Sequence, residues 1–362
     1  MDRKSRILFK EWLFIIVGWV IILYFLVFIT YWGLRHLMKE SALTEYLDTG
    51  YVHLEIFMTA IIFGSLFLVI NTFTDSSRMR KKSFGAIIVI RSFLYLVAFA
   101  CAAIIIYTVY STFNLFSADQ WNQTFIYFTP LYSVSIISYF VLAILFMNFI
   151  QQVSRKFGPG NLLKLITGKY SKPKIEKRIF MFLDLKGSTA IAESLGHQKY
   201  SELMQHCFHD LTDIVIKYRA SIYQYVGDEV VLSWDIKNGL KDLNCIKTYF
   251  SFYNKLQNKK DYYLNRYGIL PFFKCGMDCG EVTVAEIGEI KREIAYHGDV
   301  LNTAARIEKK CTPLNKMMII SEYLEKDLPK DLDGFTKEPI EDIELRGKSE
   351  KVALFSIHQN GN

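Results

Sequence analysis

Cysteine is sparse in this sequence, six in 362 residues. Cys275 and Cys279 lie four apart, but no second close pair or nearby histidine completes a zinc site, so none is assigned. Five of the six (Cys207, Cys245, Cys275, Cys279 and Cys311) sit in the C-terminal half and read as reduced, space-filling thiols. Internal repeats and low-complexity tracts are also missing. So is a basic excess in the part of the chain that looks soluble. Up to Arg178 there are 19 basic and 9 acidic residues; beyond it there are 24 and 27. The net charge of +7 therefore belongs to the hydrophobic half. A nucleic-acid-binding surface would need basic residues clustered on a folded soluble face, and no nucleic-acid partner is expected. Disorder is excluded by a hydrophobic fraction of 51%.

Long apolar runs are what the first half does contain. Four of them, Trp12–Leu34, Val52–Phe73, Phe84–Tyr110 and Phe125–Ile150, reach the roughly 20 helical residues needed to cross a ~30 Å hydrocarbon core. The first is too long for a signal peptide and lacks a cleavage site. Trp12, Tyr31, Trp32, Tyr51, Tyr110 and Trp121 mark the interfaces. Basic residues precede the first span (Arg3, Lys4, Arg6, Lys10), separate the second from the third (Arg78, Arg80, Lys81, Lys82) and follow the fourth (Arg155, Lys156, Lys164, Lys169). The loop Ser111–Thr124 has no lysine or arginine, and the other loop only Arg35 and Lys39. Positive-inside bias puts both termini in the cytoplasm of a multi-pass protein of the cell (inner) membrane. His53, Glu55 and Arg91 fall near span ends. Arg91 is expected to snorkel to a headgroup, whereas His53 and Glu55 divide evenly between that and a sensing role.

The expected organisation is a four-helix membrane domain (1–150), a linker or transducer (151–178) and a catalytic domain (179–362). In the linker, Phe157-Gly-Pro-Gly160 is a turn, and Asn161 caps a short helix Leu162–Thr167. It rests on lipid, couples the two halves mechanically, or both. Beyond it, strands are expected at Ile179–Leu183, Ser221–Val226, Glu229–Trp234, Phe272–Met277, Glu281–Glu286, Lys316–Ile320 and Lys351–Ile357. Helices are expected at Ser188–Leu195, Gln198–Arg219, Leu240–Gln257 and Val300–Lys309. Paired antiparallel strands mixed with βαβ units argue for an α+β domain with a ferredoxin-like core.

Three segments carry chemistry. In Ile179-Phe-Met-Phe-Leu-Asp-Leu-Lys-Gly-Ser-Thr189, a carboxylate ends an apolar strand and a small-residue turn opens a helix. Helix N-terminal N–H groups bind anions, Gly187 admits a phosphate, and Asp184 suits a metal bridging protein and phosphate. Alternatively, Asp184 simply caps the helix with Ser188 or Thr189. In Tyr223-Gln-Tyr-Val-Gly-Asp-Glu229, Asp228 tips a hairpin that is in isolation a plain turn. In Tyr296-His-Gly-Asp-Val-Leu-Asn-Thr-Ala-Ala-Arg306, Asn302 and Arg306 share a helix face. That pair suits a ribose and a phosphate, or is a solvated face with Asp299 as the cap.

Together, in this order and at these separations, the three motifs resemble the class III nucleotidyl cyclases, the adenylate and guanylate cyclase family, over roughly Lys177–Ile357. The resemblance implies that Asp184 and Asp228 hold two Mg²⁺ (or Mn²⁺) ions per active site, with the Leu185 carbonyl as a further ligand. It implies a phosphate cradle at Lys186, Gly187, Ser188 and Thr189, and Lys348 gripping the terminal phosphates. Asn302 would orient the ribose and Arg306 would stabilise the transition state. A head-to-tail homodimer, with aspartates from one subunit and Asn302 and Arg306 from the other, would complete each site. The base-selecting positions hold Gln224 and Ala295, where adenylate cyclases of the family pair lysine with aspartate or threonine and guanylate cyclases resemble glutamate plus cysteine. Nothing resembling a guanine-reading acid is present and Gln224 keeps a donor, so ATP is the expected substrate and GTP the alternative. The competing readings are a catalytically silent nucleotide-binding receptor module and a transporter with a regulatory tail. The short external loops favour a signal from the lipid phase or a membrane-embedded regulator, with simple anchoring as the alternative.

Overall fold

A computed structural model describes residues 3–34, 51–74, 82–112, 130–157, 161–290, 292–344 and 351–360. The chain forms two compact units, one spanning Ser5–Ile166 and the other centred on Thr167–Asn362.

Four long helices make up the first unit: α1 Arg3–Leu34, α2 Tyr51–Thr74, α3 Phe84–Thr112 and α4 Pro130–Phe157, followed by the short α5 Asn161–Ile166. Each of the four holds a stretch long and apolar enough to cross a bilayer, where only a helix satisfies every backbone polar group within one segment. The fourth starts at Pro130, a first-turn position where the missing N–H costs nothing. The expected start at Phe125, the Phe157–Gly160 turn beyond its first residue and the interfacial Trp121 lie outside the described residues. Trp19, Phe63, Phe67 and Ile144 pack the bundle centre, while Ile21, Phe25, Leu54 and Leu142 point outward.

A polar ladder joins α2, α3 and α4. Asn71 donates to Gln151 at 2.7 Å, Tyr95 donates to Asn71 at 2.7 Å, and Asn148 donates to Ser92 at 3.1 Å. Such interhelical bonds tie spans together where apolar contact gives no preference over lipid. Arg91, expected to reach a headgroup, is instead 2% exposed. It lies on the same helix as Ser92 and Tyr95, whose side chains feed that ladder. His53 does not stand alone, since its Nδ1 lies 2.9 Å from the Tyr24 hydroxyl. Glu55 is exposed on α2.

The second unit is built on one eight-stranded sheet. Its elements are β1 Lys174–Leu185, α6 Ser188–Lys217, β2 Ser221–Val226, β3 Glu229–Asp235, α7 Ile236–Leu240, α8 Asn244–Asn258, α9 Lys260–Tyr267, β4 Phe273–Ile287, β5 Glu293–His297, α10 Asp299–Lys310, β6 Met318–Ser321, α11 Glu322–Asp327, β7 Phe335–Glu344 and β8 Lys351–Gln359. The order β2-β3-β1-β4-β6-β8-β7, with β5 on β4, contains the antiparallel β2-β3-β1-β4 arrangement of a ferredoxin-like core. The two helices expected in Ser188–Arg219 form one element broken at Gly196, whose φ of 73° and ψ of 160° are not helical.

The two strands expected between Phe272 and Glu286 are one. Asp278, Cys279 and Gly280 look like a turn, yet they pair with Phe180, Ile179 and Arg178. Ser321 donates to Asp278 at 2.5 Å, so the buried carboxylate is satisfied and the ladder continues. Sheet alternation separates two cores. Ile179, Met181 and Leu183 face one, with Leu203 and Phe252 of the helical layer. Phe180 and Phe182 face the other, with Val300 and Ala304 of α10. α10 can lie this close because residue 276 is glycine. A Cβ there would sit 2.2 Å from the Glu308 nitrogen and 2.6 Å from the Ala304 oxygen.

Candidate active site

The period of two that sends Phe180 and Phe182 towards α10 sends Asp184 to the same face, at the end of β1. Its register partner on β4 is Lys274, whose Nζ lies 3.2 Å from Asp184 Oδ2 and 2.9 Å from Glu308 Oε1. Asp228 occupies the two-residue turn between β2 and β3, where Gly227 supplies the positive φ of 62° that a tight hairpin needs. Leu183 pairs with Val230, so the next step along the ladder sets Glu229 opposite Asp184 and Asp228 just beyond. The register thus sets Asp228 beside Asp184, close enough for its charge to act on the Asp184 carboxyl. Residues 44 apart in sequence are thereby neighbours.

The electrostatics follow from this crowding. Burial pushes the Asp184 carboxyl above its usual range; Lys274 opposes the shift and the charge of Asp228 adds to it. Burial, then the charges of Asp184 and Glu308, push Glu229 up to about 7. Two adjacent half-buried carboxylates form a hard-oxygen donor set whose mutual repulsion a divalent cation relieves. Leu185 has its side chain in the core, 1% exposed, so only its carbonyl could join them. Among the described residues no group of three or more His, Cys, Asp or Glu side chains is arranged to hold a metal ion.

A carboxyl that binds its proton more tightly when folded destabilises the fold as pH rises from its ordinary value of 4.5 towards 7. Glu229→Gln is therefore expected to stabilise the divalent-free protein at about pH 8, on the order of 1–2 kcal/mol after solvent screening. The melting temperature should rise by several degrees, and the gain should fade near pH 5. Calorimetry at the two pH values checks this, and a Gln variant that melts no higher than the parent at the upper pH contradicts it.

Next to the carboxylates, α6 begins at Ser188. Gly187 is its N-cap with φ 71°, and among the described residues no side chain makes a cap hydrogen bond to the helix. The capping role considered for Asp184 and Ser188 is thus not taken, and the first-turn N–H groups are free for an anion. The backbone N–H of Lys186 is held by the Phe272 carbonyl at 2.9 Å. Ser188, Thr189, Ala192, Glu193, His197, Tyr200 and Asp228 line a hollow of about 510 Å³ over this helix start. Sequence reasoning missed Lys274, Glu308, Glu229 and Tyr200, because nothing in their local motifs signals that they converge.

Asn302 and Arg306 lie elsewhere. α10 turns Val300, Ala304 and Ile307 inward, which leaves Asn302 exposed and Arg306 half-buried on the other side. Among the described residues, Arg306 Nη1 is buried without a hydrogen-bond partner. Asp299 is not the cap of this helix but its first residue, after the N-cap Gly298. Gln224 is exposed on the edge strand β2, in register with Val231, and Ala295 is buried on β5, in register with Ala285. Their neighbours Tyr223 and Tyr296 meet edge-on, with ring centroids 4.9 Å apart, so the sheet curls to bring β2 and β5 together. Lys348 lies outside the described residues.

The carboxylate pair at the strand end and the open helix start set oxygen donors next to an anion-binding helix terminus on an α+β sheet. The family model for the adenylate and guanylate cyclase catalytic domain matches residues 171–359, and the chain belongs to that family. It is 34% identical over 210 residues to adenylate cyclase 2 of Rhizobium meliloti (strain 1021); the match covers 58% of this chain and 57% of that relative. A bacterial light-regulated adenylyl cyclase shares the fold at 18% identity, with a TM-score of 0.53 over 63% of this chain and 66% of its own. The adenylyl cyclase CyaB from P. aeruginosa matches at 18% identity and a TM-score of 0.43, covering 52% and 96% of the two chains.

Proposed function

We propose that this chain is a membrane-anchored adenylate cyclase, converting ATP to 3′,5′-cyclic AMP and pyrophosphate at sites shared by two copies. The observation that carries the reading is the close approach of Asp184 and Asp228 beside the uncapped start of α6. Their carboxylates, with the Leu185 carbonyl, would hold two Mg²⁺ or Mn²⁺ ions. When bound, these supply activation of the ribose 3′-hydroxyl and neutralisation of the triphosphate.

The chain's own groups then have defined tasks. The N–H groups from Gly187 to Thr189, with Lys186 and Lys348, receive the phosphates. Asn302 fixes the ribose, and Arg306 stabilises charge at the α-phosphorus. The outward position of Asn302 and Arg306, and the unspent Nη1 donor, support a site completed by a second copy. The three-part division at 150 and 178, with both termini in the cytoplasm, belongs to the same reading. The resemblance to adenylate cyclase 2 favours ATP, as does the donor that Gln224 retains where a guanine-reading acid would stand. With one base-reading side chain instead of a pair, discrimination between purines is soft. Full-length protein given equal ATP and GTP with Mg²⁺ or Mn²⁺ is expected to make mainly cyclic AMP. Predominant cyclic GMP would overturn the substrate assignment and leave the cyclase reading intact; neither product would overturn both.

A further inference from the structure

Lys274 is an unusual neighbour for a residue meant to bind a divalent cation. Its ammonium has a side-chain exposure of 12% and sits between two carboxylates, 3.2 Å from Asp184 and 2.9 Å from Glu308. Glu308 has only 2% exposure. It is carried to this place by α10, which lies against the strand through Gly276. A buried carboxylate needs a partner on the protein, and Lys274 is that partner. The same lysine is also the resident positive charge beside Asp184. A divalent ion arriving at Asp184 meets a like charge within a few ångströms, where interactions near a protein surface are still several times stronger than in bulk water.

Resting on the reading of Asp184 as a metal ligand, we propose that Lys274 and Glu308 form a competing-cation device that sets the divalent-ion affinity of the site. Lys274 stands in as the cation of Asp184 when no metal is bound, and Glu308 holds it aside when the ion enters. Neither residue touches the nucleotide; both act through Asp184. The lysine holds the carboxylate in place while the site waits, at a cost in metal affinity. Glu308 limits that cost by giving the displaced ammonium a second anion.

The two residues therefore have opposite effects on one measurement. Mn²⁺ alone is titrated into purified full-length protein at about pH 8, and the free ion is read by electron paramagnetic resonance. Glu308→Gln leaves Lys274 with Asp184 as its sole ion-pair partner among the described residues, and binding is expected to weaken about fivefold. Lys274→Met removes the competitor, and binding is expected to tighten about threefold or more. If Lys274→Met fails to fold, Lys274→Gln makes the same test with a polar side chain. The double variant Lys274→Met with Glu308→Gln should bind at least as tightly as the parent, because Glu308 matters only while the lysine is present. A merely structural role makes both single variants bind more weakly and the double variant worst, and that pattern overturns the proposal. Asp184→Asn separates the premise from the device. If it leaves Mn²⁺ binding unchanged, the metal-ligand reading itself fails. If it abolishes binding while the lysine and glutamate variants move affinity in the same direction, only the device fails.

Discussion

Replacing Asp228 or Asp184 with alanine is expected to reduce cyclic nucleotide formation by at least ~10³-fold, with the fold retained. The size of the loss follows from what the two carboxylates are asked to do. Phosphoryl transfer of this kind gains almost all of its acceleration from positioning and charge neutralisation. Groups acting as one unit are non-additive, so losing either costs nearly as much as losing both. The fold should survive because neither side chain holds the core together. Asp228 lies in a hairpin turn, and Lys274 keeps Glu308 as a partner when Asp184 is gone. The measurement is the initial rate of full-length protein in lipid discs at saturating divalent ion, with a melting curve beside it. A melting temperature near that of the parent, with a rate below a thousandth, is the expected pair. A rate above a tenth of the parent's would remove the aspartates from the catalytic machinery. A parent protein with no activity at all would favour the nucleotide-binding receptor module.

The strand ends, the hairpin tip and the helix bearing Asn302 and Arg306 were legible in the sequence because each is a local signal. An apolar run stops at a carboxylate, a Gly-Asp turn separates two β-rich segments, and an amide and a guanidinium stand four apart. The four spans were legible for the same reason, since length and apolarity are counted along the chain. What the sequence hides is set by contacts between distant segments. The Asp278-Cys279-Gly280 stretch reads as a turn, yet Ser321 satisfies its carboxylate and the strand runs on. Arg91 reads as a residue near a headgroup but is 2% exposed within the bundle. β5 was missed because its five residues owe their pairing to β4 and carry no strong pattern of their own. Lys274 and Glu308 are ordinary surface-type residues in sequence. Only the close seat of α10 on Gly276 turns them into a buried pair at the end of β1.

Two inactive chains are expected to make an active dimer. If each site takes its aspartates from one copy and Asn302 with Arg306 from the other, Asp184→Ala and Arg306→Ala lesions in separate chains fall unequally on the two sites of a mixed dimer. One site carries both lesions, and the other carries neither. Isologous two-fold assembly makes the sites equivalent in the parent, so a mixed dimer isolated through two different tags should have about half the parent's rate. Each variant alone should remain below a hundredth. The geometry favours this outcome over self-contained sites: α10 packs its Val300, Ala304 and Ile307 stripe on the sheet. That orientation carries Glu308 towards Asp184 and turns Asn302 away from it. Arg306 cannot swing to the other side of its helix without unseating that stripe, and its buried Nη1 has no hydrogen-bond partner among the described residues. A mixed dimer no more active than the two variants measured apart would place the whole site within one chain, and the outward pair on α10 would need another role.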